Sequence, residues 1–276
     1  MEIKTLCIGG GGYVAFAYYG CMNFLKANGV LDKCETYIGT SAGSILAFAF
    51  SFDTDCFTYI LDNASQVYNE DDLDILEFSE TWGLCNRIKM HDMFKTILKS
   101  KFNKESVTMK ELYDYTKKHL YIGVTNLSKQ RIEYINHIDN PDIEIWDAIE
   151  ASTSVPLLMT KKVINGDVYC DGCLGEDVAL KCIKTPVENT LVIYHNKTDN
   201  EELKITNFVT YITSMVKFFI NSNFQDFTQY NHIIIDSSTI PFVSFDCDFI
   251  SQNQSDYIEI GRKAAEKWFN DNKESI

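Results

Sequence analysis

Ser41 is the residue of this chain best placed to do chemistry. It stands in Gly39-Thr40-Ser41-Ala42-Gly43, between a strand pattern that ends near Ile38 and a long apolar run, residues 45–52. That is the pattern of a nucleophile elbow, a sharp strand-to-helix turn with the serine at its apex. The backbone doubles back tightly there, so the flanking residues must be small, and Gly39 and Gly43 meet that need. The helix that follows aims its first free N–H groups, Ala42's among them, and its dipole at the serine, which favours a developing oxyanion. A serine hydroxyl is a poor nucleophile at neutral pH until a neighbour takes its proton. Histidine is the usual neighbour, and the chain offers His91, His119, His137, His195 and His232. Of these, His195 ends an apolar strand pattern, where an α/β hydrolase carries loop-borne catalytic groups. Asp171 is the other candidate, at the end of a strand pattern and before a turn at Gly172. A free aspartate, with a pKa of ~3.9, is too weak a base. Burial beside a serine in a dry pocket raises that value toward usefulness. The residues alone leave both a Ser–Asp dyad and a triad with His195 or His232 open.

These groups need elements to hold them. Residues 4–8 read as a first strand, Gly9-Gly10-Gly11-Gly12 follows at once, and residues 14–25 read as a helix closed by Asn28-Gly29. Strand, glycine loop and helix together make an anion cradle of backbone N–H groups. The dinucleotide spacing Gly-x-Gly-x-x-Gly fails, since its last position falls on Val14 or Ala15, and no Gly-Lys-Ser/Thr makes a Walker loop. An oxyanion hole for the serine one βα unit later explains both motifs at once. Residues 35–38 form the second strand, and the nucleophile helix runs from Ser41 to about Phe52.

Residues 53–118 read as mainly helical. The acidic run 69–74 lacks the glycine and spacing of a calcium loop. Thr108 and Glu111 form a capping box. Strands are expected at 120–125, 131–136 and 191–195, a short helix at 147–154, and a hairpin about Asn165-Gly166-Asp167. Ile205, Phe208, Val209, Ile212, Met215, Val216 and Phe219 recur at helical spacing. Such an amphipathic helix covers a core; contact with lipid is its second reading. A last strand at 233–236 and a terminal helix at 254–269, with Gly261 inside it, complete an alternation that implies an α/β sandwich.

At 276 residues, 45% hydrophobic and with only four prolines, the chain suits one large globular unit with no Pro-rich linker. The net charge of −14 excludes nucleic acid as an expected partner, since phosphate binding needs a basic face. Lys95, Lys99, Lys101 and Lys104 form a local basic group that reads as a solvated face. Nine scattered cysteines, an odd number, with no secretory signal ahead of them, fit reduced thiols in a cytoplasmic protein. No apolar run reaches the ~20 residues that span a bilayer.

Four motifs stand in order along residues 4–180. They are Gly10-Gly11-Gly12 with Gly20 downstream; Gly39 to Gly43; Ala151-Ser152 with Val155-Pro156; and Gly166 with Tyr169-Cys170-Asp171-Gly172. In this order they resemble the patatin-like phospholipases. Phe245-Asp246 and the helix about Gly261 are compatible with that. The resemblance implies a three-layer α/β/α sandwich with a mainly parallel central sheet. Residues 1–185 would form the catalytic core, with 186–276 packed on the same domain. It implies Ser41 as nucleophile, Asp171 as base, and backbone N–H groups of Gly10, Gly11, Gly12 and Ala42 as the oxyanion hole. The implied activity is acyl-ester hydrolysis on lipids, some of it at a membrane surface, with no metal and no cofactor. An inactive scaffold that keeps the fold is the rival from another class. Two departures stand out. The family's glycine loop continues with x-Arg/Lys-Gly, where this chain has Tyr13-Val14-Ala15, so the anchor of the loop is in question. The family's Asp-Gly-Gly/Ala is Asp171-Gly172-Cys173 here, which creates Cys170-x-x-Cys173 without the further ligands of a zinc site.

Overall fold

The computed structural model describes residues 2–52, 55–63, 78–196, 205–222, 225–240 and 247–273. The acidic run 69–74 and the pair Phe245-Asp246 lie outside them. Ten strands are described, and eight form one sheet in the order β10-β9-β1-β2-β4-β8-β7, with β5 beside β4. Five of these strands are parallel neighbours: β1 (Thr5–Ile8), β2 (Thr36–Thr40), β4 (His119–Asn126), β9 (Thr190–His195) and β10 (Asn231–Ile235). Their near-continuous apolar character is what a sheet covered on both faces requires. Alternate residues divide between two cores. Leu6, Ile8, Leu191 and Ile193 face one, and Cys7, Val192, Ile38 and Tyr121 face the other.

The first face carries the helices α1 (Ala15–Ala27), α2 (Ala42–Phe52) and the terminal α9 (Cys247–Asn272). Residues 42–51 of α2 are all buried, which is why that helix is apolar all round. The second face has a thinner cover, in which Val178, Ala179, Cys182 and Phe227 meet the sheet. A smaller parallel pair, β3 (Gly83–Cys85) and β6 (Leu157–Met159), packs with helix α8 (Phe208–Ser222) over a third cluster. The expected mainly parallel α/β sheet is therefore present. β3 is a strand where the sequence read as helix, and at three residues it is too short to leave a periodic signal.

β4 sets the layout of the site. It pairs with β5 (Arg131–Asn136) through residues 121–126, with β2 through 119–123, and with β8 (Asp167–Cys170) at Thr125 and Asn126. A strand has two edges and β5 occupies one from Tyr121 onward, so β2 and β8 follow one another along the other. The residue after β8 therefore arrives just past the end of β2. The hairpin that delivers β8, from β7 (Lys162–Ile164), turns at Asn165 (φ 52°) and Gly166 (φ 86°), as expected from its sequence.

The α1–α9 crossing depends on two glycines. A Cβ on Gly20 would lie 2.0 Å from the Ile258 carbonyl oxygen, and one on Gly261 would lie 1.6 Å from that of Ala17. Each helix thus presses its backbone into a gap left by the other. Gly261→Ala is expected to destabilise the protein by about 1–3 kcal/mol or more, since the clash is with backbone and not with a movable side chain. Urea unfolding with unchanged stability in that variant would contradict the crossing.

Candidate active site

Ser41 adopts φ 51°, a left-handed conformation costly for a residue with a Cβ and characteristic of an elbow nucleophile. A Cβ on Gly39 would lie 2.3 Å from the Gly43 carbonyl oxygen, and one on Gly43 would lie 2.4 Å from that of Gly9. Both glycines are there for close approach: the elbow closes on itself and presses on the end of β1. The Ser41 amide donates to Ser152 Oγ at 2.8 Å, and Ser152 Oγ donates to the Gly123 carbonyl of β4 at 2.7 Å. Ser152 ends helix α7 (Ile145–Ser152), so the Ala-Ser-x-x-x-Pro segment ties the elbow to the sheet.

Ser41 Oγ donates to Asp171 Oδ2 at 2.6 Å, within a buried setting. Asp171 Oδ1 accepts from the Cys173 amide at 2.9 Å. The Asp171 amide donates to the Ser154 carbonyl at 2.9 Å, and its own carbonyl accepts from Thr125 Oγ1 at 3.0 Å. Gly172 follows because a Cβ there would lie 2.3 Å from the Gly123 carbonyl oxygen. Burial pushes the Asp171 carboxyl from 3.8 up to about 6, against the hydrogen bonds from Ser41 and Cys173 that favour its ionised form. The carboxylate is held by a hydroxyl and an amide.

Behind this pair lies Arg87, buried and without a clear signal in the sequence. Its guanidinium donates to Ser154 Oγ at 2.9 Å, to the Thr160 carbonyl at 2.8 Å and to the Glu150 carbonyl at 2.7 Å. It fixes the turn whose Ser154 carbonyl receives the Asp171 amide.

The glycine loop runs beside Ser41. Gly11 (φ 141°) and Gly12 (φ 57°) take up backbone conformations that side chains resist. Among the described residues, no hydrogen bond is donated by the backbone N–H groups of Gly11, Gly12 or Ala42. Gly10 is a correction. Its N–H donates to the Asp177 carbonyl at 3.2 Å and is therefore not free to hold an oxyanion. Its role is spatial, since a Cβ there would lie 2.1 Å from Cys173 Sγ and 3.2 Å from Ser41 Cβ. The sulfur of Cys173 fills the space Gly10 leaves, so the departure from Asp-Gly-Gly/Ala is accommodated.

Tyr18 anchors the loop, which lacks a basic side chain at Tyr13-Val14-Ala15. Its hydroxyl donates to the Gly10 carbonyl at 2.8 Å and meets His195 Nδ1 at 2.9 Å. His195 in turn abuts Gly11, where a Cβ would lie 3.1 Å from Nδ1. The histidine favoured by the triad reading thus buttresses the loop from the side. His232 Nδ1 faces the Tyr230 carbonyl at 3.0 Å, His91 stacks on Trp146, and His119 and His137 lie against Tyr113.

Cys170 and Cys173 are both buried free thiols, and burial pushes the Cys170 thiol up to about 12. Burial and the carboxylates of Asp171 and Asp177 raise the Cys173 thiol further, which keeps it neutral. Among the described residues, no group of three or more His, Cys, Asp or Glu side chains is arranged to hold a metal ion.

An uncharacterised protein of Acanthamoeba polyphaga mimivirus is 28% identical to this chain over 235 residues, covering 78% of this chain and 75% of its own. A probable lipid hydrolase of Invertebrate iridescent virus 6 is 27% identical over 208 residues, covering 72% and 67%. A patatin-like phospholipase domain-containing protein of Neosartorya fischeri is 26% identical, and the match spans 27% of that longer chain. In fold, the crystal structure of VipD from Legionella pneumophila superposes with a TM-score of 0.59 at 14% identity, over 98% of this chain and 67% of its own. The model of the patatin-like phospholipase family matches residues 6–181, the stretch that carries the glycine loop, the elbow and the Asp171 turn, and the chain belongs to that family.

Proposed function

We propose that the protein is a metal-independent lipid acyl hydrolase that cleaves carboxylic esters of phospholipids or acylglycerols through a Ser41–Asp171 dyad. The observation that carries this reading is the buried 2.6 Å hydrogen bond from Ser41 Oγ to Asp171 Oδ2. Family membership and the lipid hydrolase named among the viral relatives support the substrate class. Residues 1–185 carry the chemistry, and 186–276 complete the same domain by adding β9 and β10 to the sheet. We place the work of the enzyme in the cytoplasm, in keeping with the eight buried free thiols of the described residues. No helix among the described residues is long and apolar enough to cross a membrane.

As Ser41 Oγ attacks the ester carbonyl carbon, Asp171 Oδ2 takes its proton. The carbonyl oxygen becomes an oxyanion, and the amides of Gly11, Gly12 and Ala42 stabilise it. The tetrahedral intermediate collapses, the leaving alcohol takes the proton from Asp171, and the acyl group stays on Ser41. Asp171 then deprotonates a water that attacks the acyl-enzyme. The fatty acid leaves and Ser41 Oγ recovers its proton. A carboxyl near pH 6 serves both steps, ionised enough to accept and acidic enough to return the proton.

Ser41→Ala and Asp171→Asn are each expected to lower kcat by more than ~10³-fold, and the double variant to be no worse than either alone, because the two act as one unit. His195→Gln is expected to lose no more than ~10-fold through loosened support of the loop, and His232→Gln nothing measurable. Hydrolysis of a defined phospholipid, followed by mass analysis of the products, checks all four. A dead, folded His195→Gln protein would restore the triad. Turnover is also expected to survive excess chelator. A loss reversed only by added calcium would overturn metal independence.

Only ionised Asp171 can accept the proton, so kcat/KM is expected to fall as pH drops through about 6, and to do so in the His195→Gln variant too. Stability follows the opposite sense. A carboxyl whose pKa is raised on folding favours the folded state most when both states are protonated, below pH ~4, and that contribution disappears as pH climbs through about 6. Asp171→Asn carries no such charge. Its stability relative to wild type is expected to rise by up to about 3 kcal/mol between pH 4 and pH 8. Parallel urea titrations at the two pH values, with no change in the gap, would show that Asp171 is not ionised in a dry site.

A further inference from the structure

Helix α8 is more apolar than its place in the fold requires. At 100° per residue, Phe208, Tyr211, Met215, Phe218, Phe219, Ile212, Val216 and Ile220 sweep an arc of roughly 200°. Only one half of it is used internally. Ile212, Val216 and Ile220 are buried against Cys85, Leu158, Met159 and Cys173. The other half is in solvent: Phe208 is 51% exposed, Tyr211 50%, Phe218 70% and Phe219 57%. Four aromatic rings on one side of one helix are an unusual amount of apolar surface to leave in water.

Charge and position say what covers it. The chain carries 39 acidic residues, yet residues 205–222 contain none, and Lys217 is the one charged residue among them. The inner face of the helix touches Cys173, two residues from Asp171, so the exposed rings stand beside the candidate site. Trp82, which precedes the strand β3 beneath the helix, is itself half exposed, with Lys161 Nζ 3.3 Å from its ring centre. Exposed aromatic rings on a segment without acidic residues suit the headgroup boundary of a bilayer, where such rings enter the acyl region.

We propose that the outer face of α8 docks the protein on a phospholipid bilayer, with Phe208, Tyr211, Phe218 and Phe219 inserted, so that the Ser41 site faces the lipids. This rests on the lipid hydrolase reading for its purpose and not for its test. The net charge of −14 opposes approach to an anionic surface, so zwitterionic phosphatidylcholine suffices and added phosphatidylserine does not strengthen binding.

The test uses the full chain carrying Ser41→Ala, so that no hydrolysis alters the vesicles. Sedimentation with phosphatidylcholine vesicles is expected to show binding, and Phe218→Ser with Phe219→Ser to weaken it by about 10-fold or more, as loss of two buried rings implies. In the Ser41 background the same pair of changes is expected to leave turnover of a soluble short-chain p-nitrophenyl ester unchanged while lowering turnover of vesicle lipid. Independently, Phe218→Trp is expected to shift its emission to the blue on vesicle addition and to be quenched by brominated acyl chains. Undiminished sedimentation of the Phe218→Ser, Phe219→Ser protein would overturn the proposal. So would wild-type protein that ignores vesicles but forms dimers that those changes dissociate, since the face would then bind a second copy of the chain. Vesicle binding through α8 by a protein that cleaves no ester would retain the docking surface and discard the hydrolase reading.

Discussion

A carboxyl group 3% exposed and hydrogen-bonded to a hydroxyl and an amide sets the terms for the rest of this molecule. Removing Asp171 from water disfavours its charge, and the surrounding dipoles recover only part of the loss, so its pKa rests near 6. Such a group stays where it is only if its backbone is fixed on every side. The Ser154 carbonyl, the Thr125 hydroxyl and the glycine contact with β4 do that, and Arg87 fixes Ser154 in turn. The positive charge of Arg87 is used one step away, on the turn that holds Asp171. A guanidinium directly on Asp171 would hold its carboxyl low and make it a poor base.

The same logic extends to the serine. Ser41 carries a strained φ, and the strain is sustained by contacts that leave no room for relaxation: Gly39 on Gly43, Gly43 on the end of β1, and the Ser152 hydroxyl between the elbow amide and β4. Each of these partners belongs to a different element. The glycine loop completes the enclosure, held by Tyr18 and the Asp177 carbonyl.

Much of this was legible before any coordinates. The elbow, the hairpin and the capping box at Thr108 and Glu111 depend on contacts within a few residues, and local sequence records such contacts directly. Asp171 could be named as a candidate base from its turn, and preferred over a histidine only through resemblance. What sequence did not record was long-range and mute in composition. An arginine such as Arg87 looks like any surface arginine until its partners 63 to 73 residues away are known. Gly10 was expected to donate to an oxyanion, because nothing nearby announces that the carbonyl of Asp177 claims its amide. The apolar period of α8 was visible. The division of its arc between core and solvent was not, because period alone does not say how much of a stripe the fold can cover.

One feature of the sheet bears on how this fold tolerates change. β2 and β8 abut along a single edge of β4, so the separation of Ser41 and Asp171 is measured in pleats of that strand. The 129 residues between them along the chain do not enter that measure. Loops between the helices of that interval can lengthen or shorten over generations without moving either group, provided residues 119–126 remain a strand. A one-residue slip in β4, by contrast, would shift the delivery point of Asp171 by ~3.3 Å and turn alternate side chains to the opposite face. The most constrained part of such an enzyme, in evolutionary terms, is then a short strand that contributes no reacting atom.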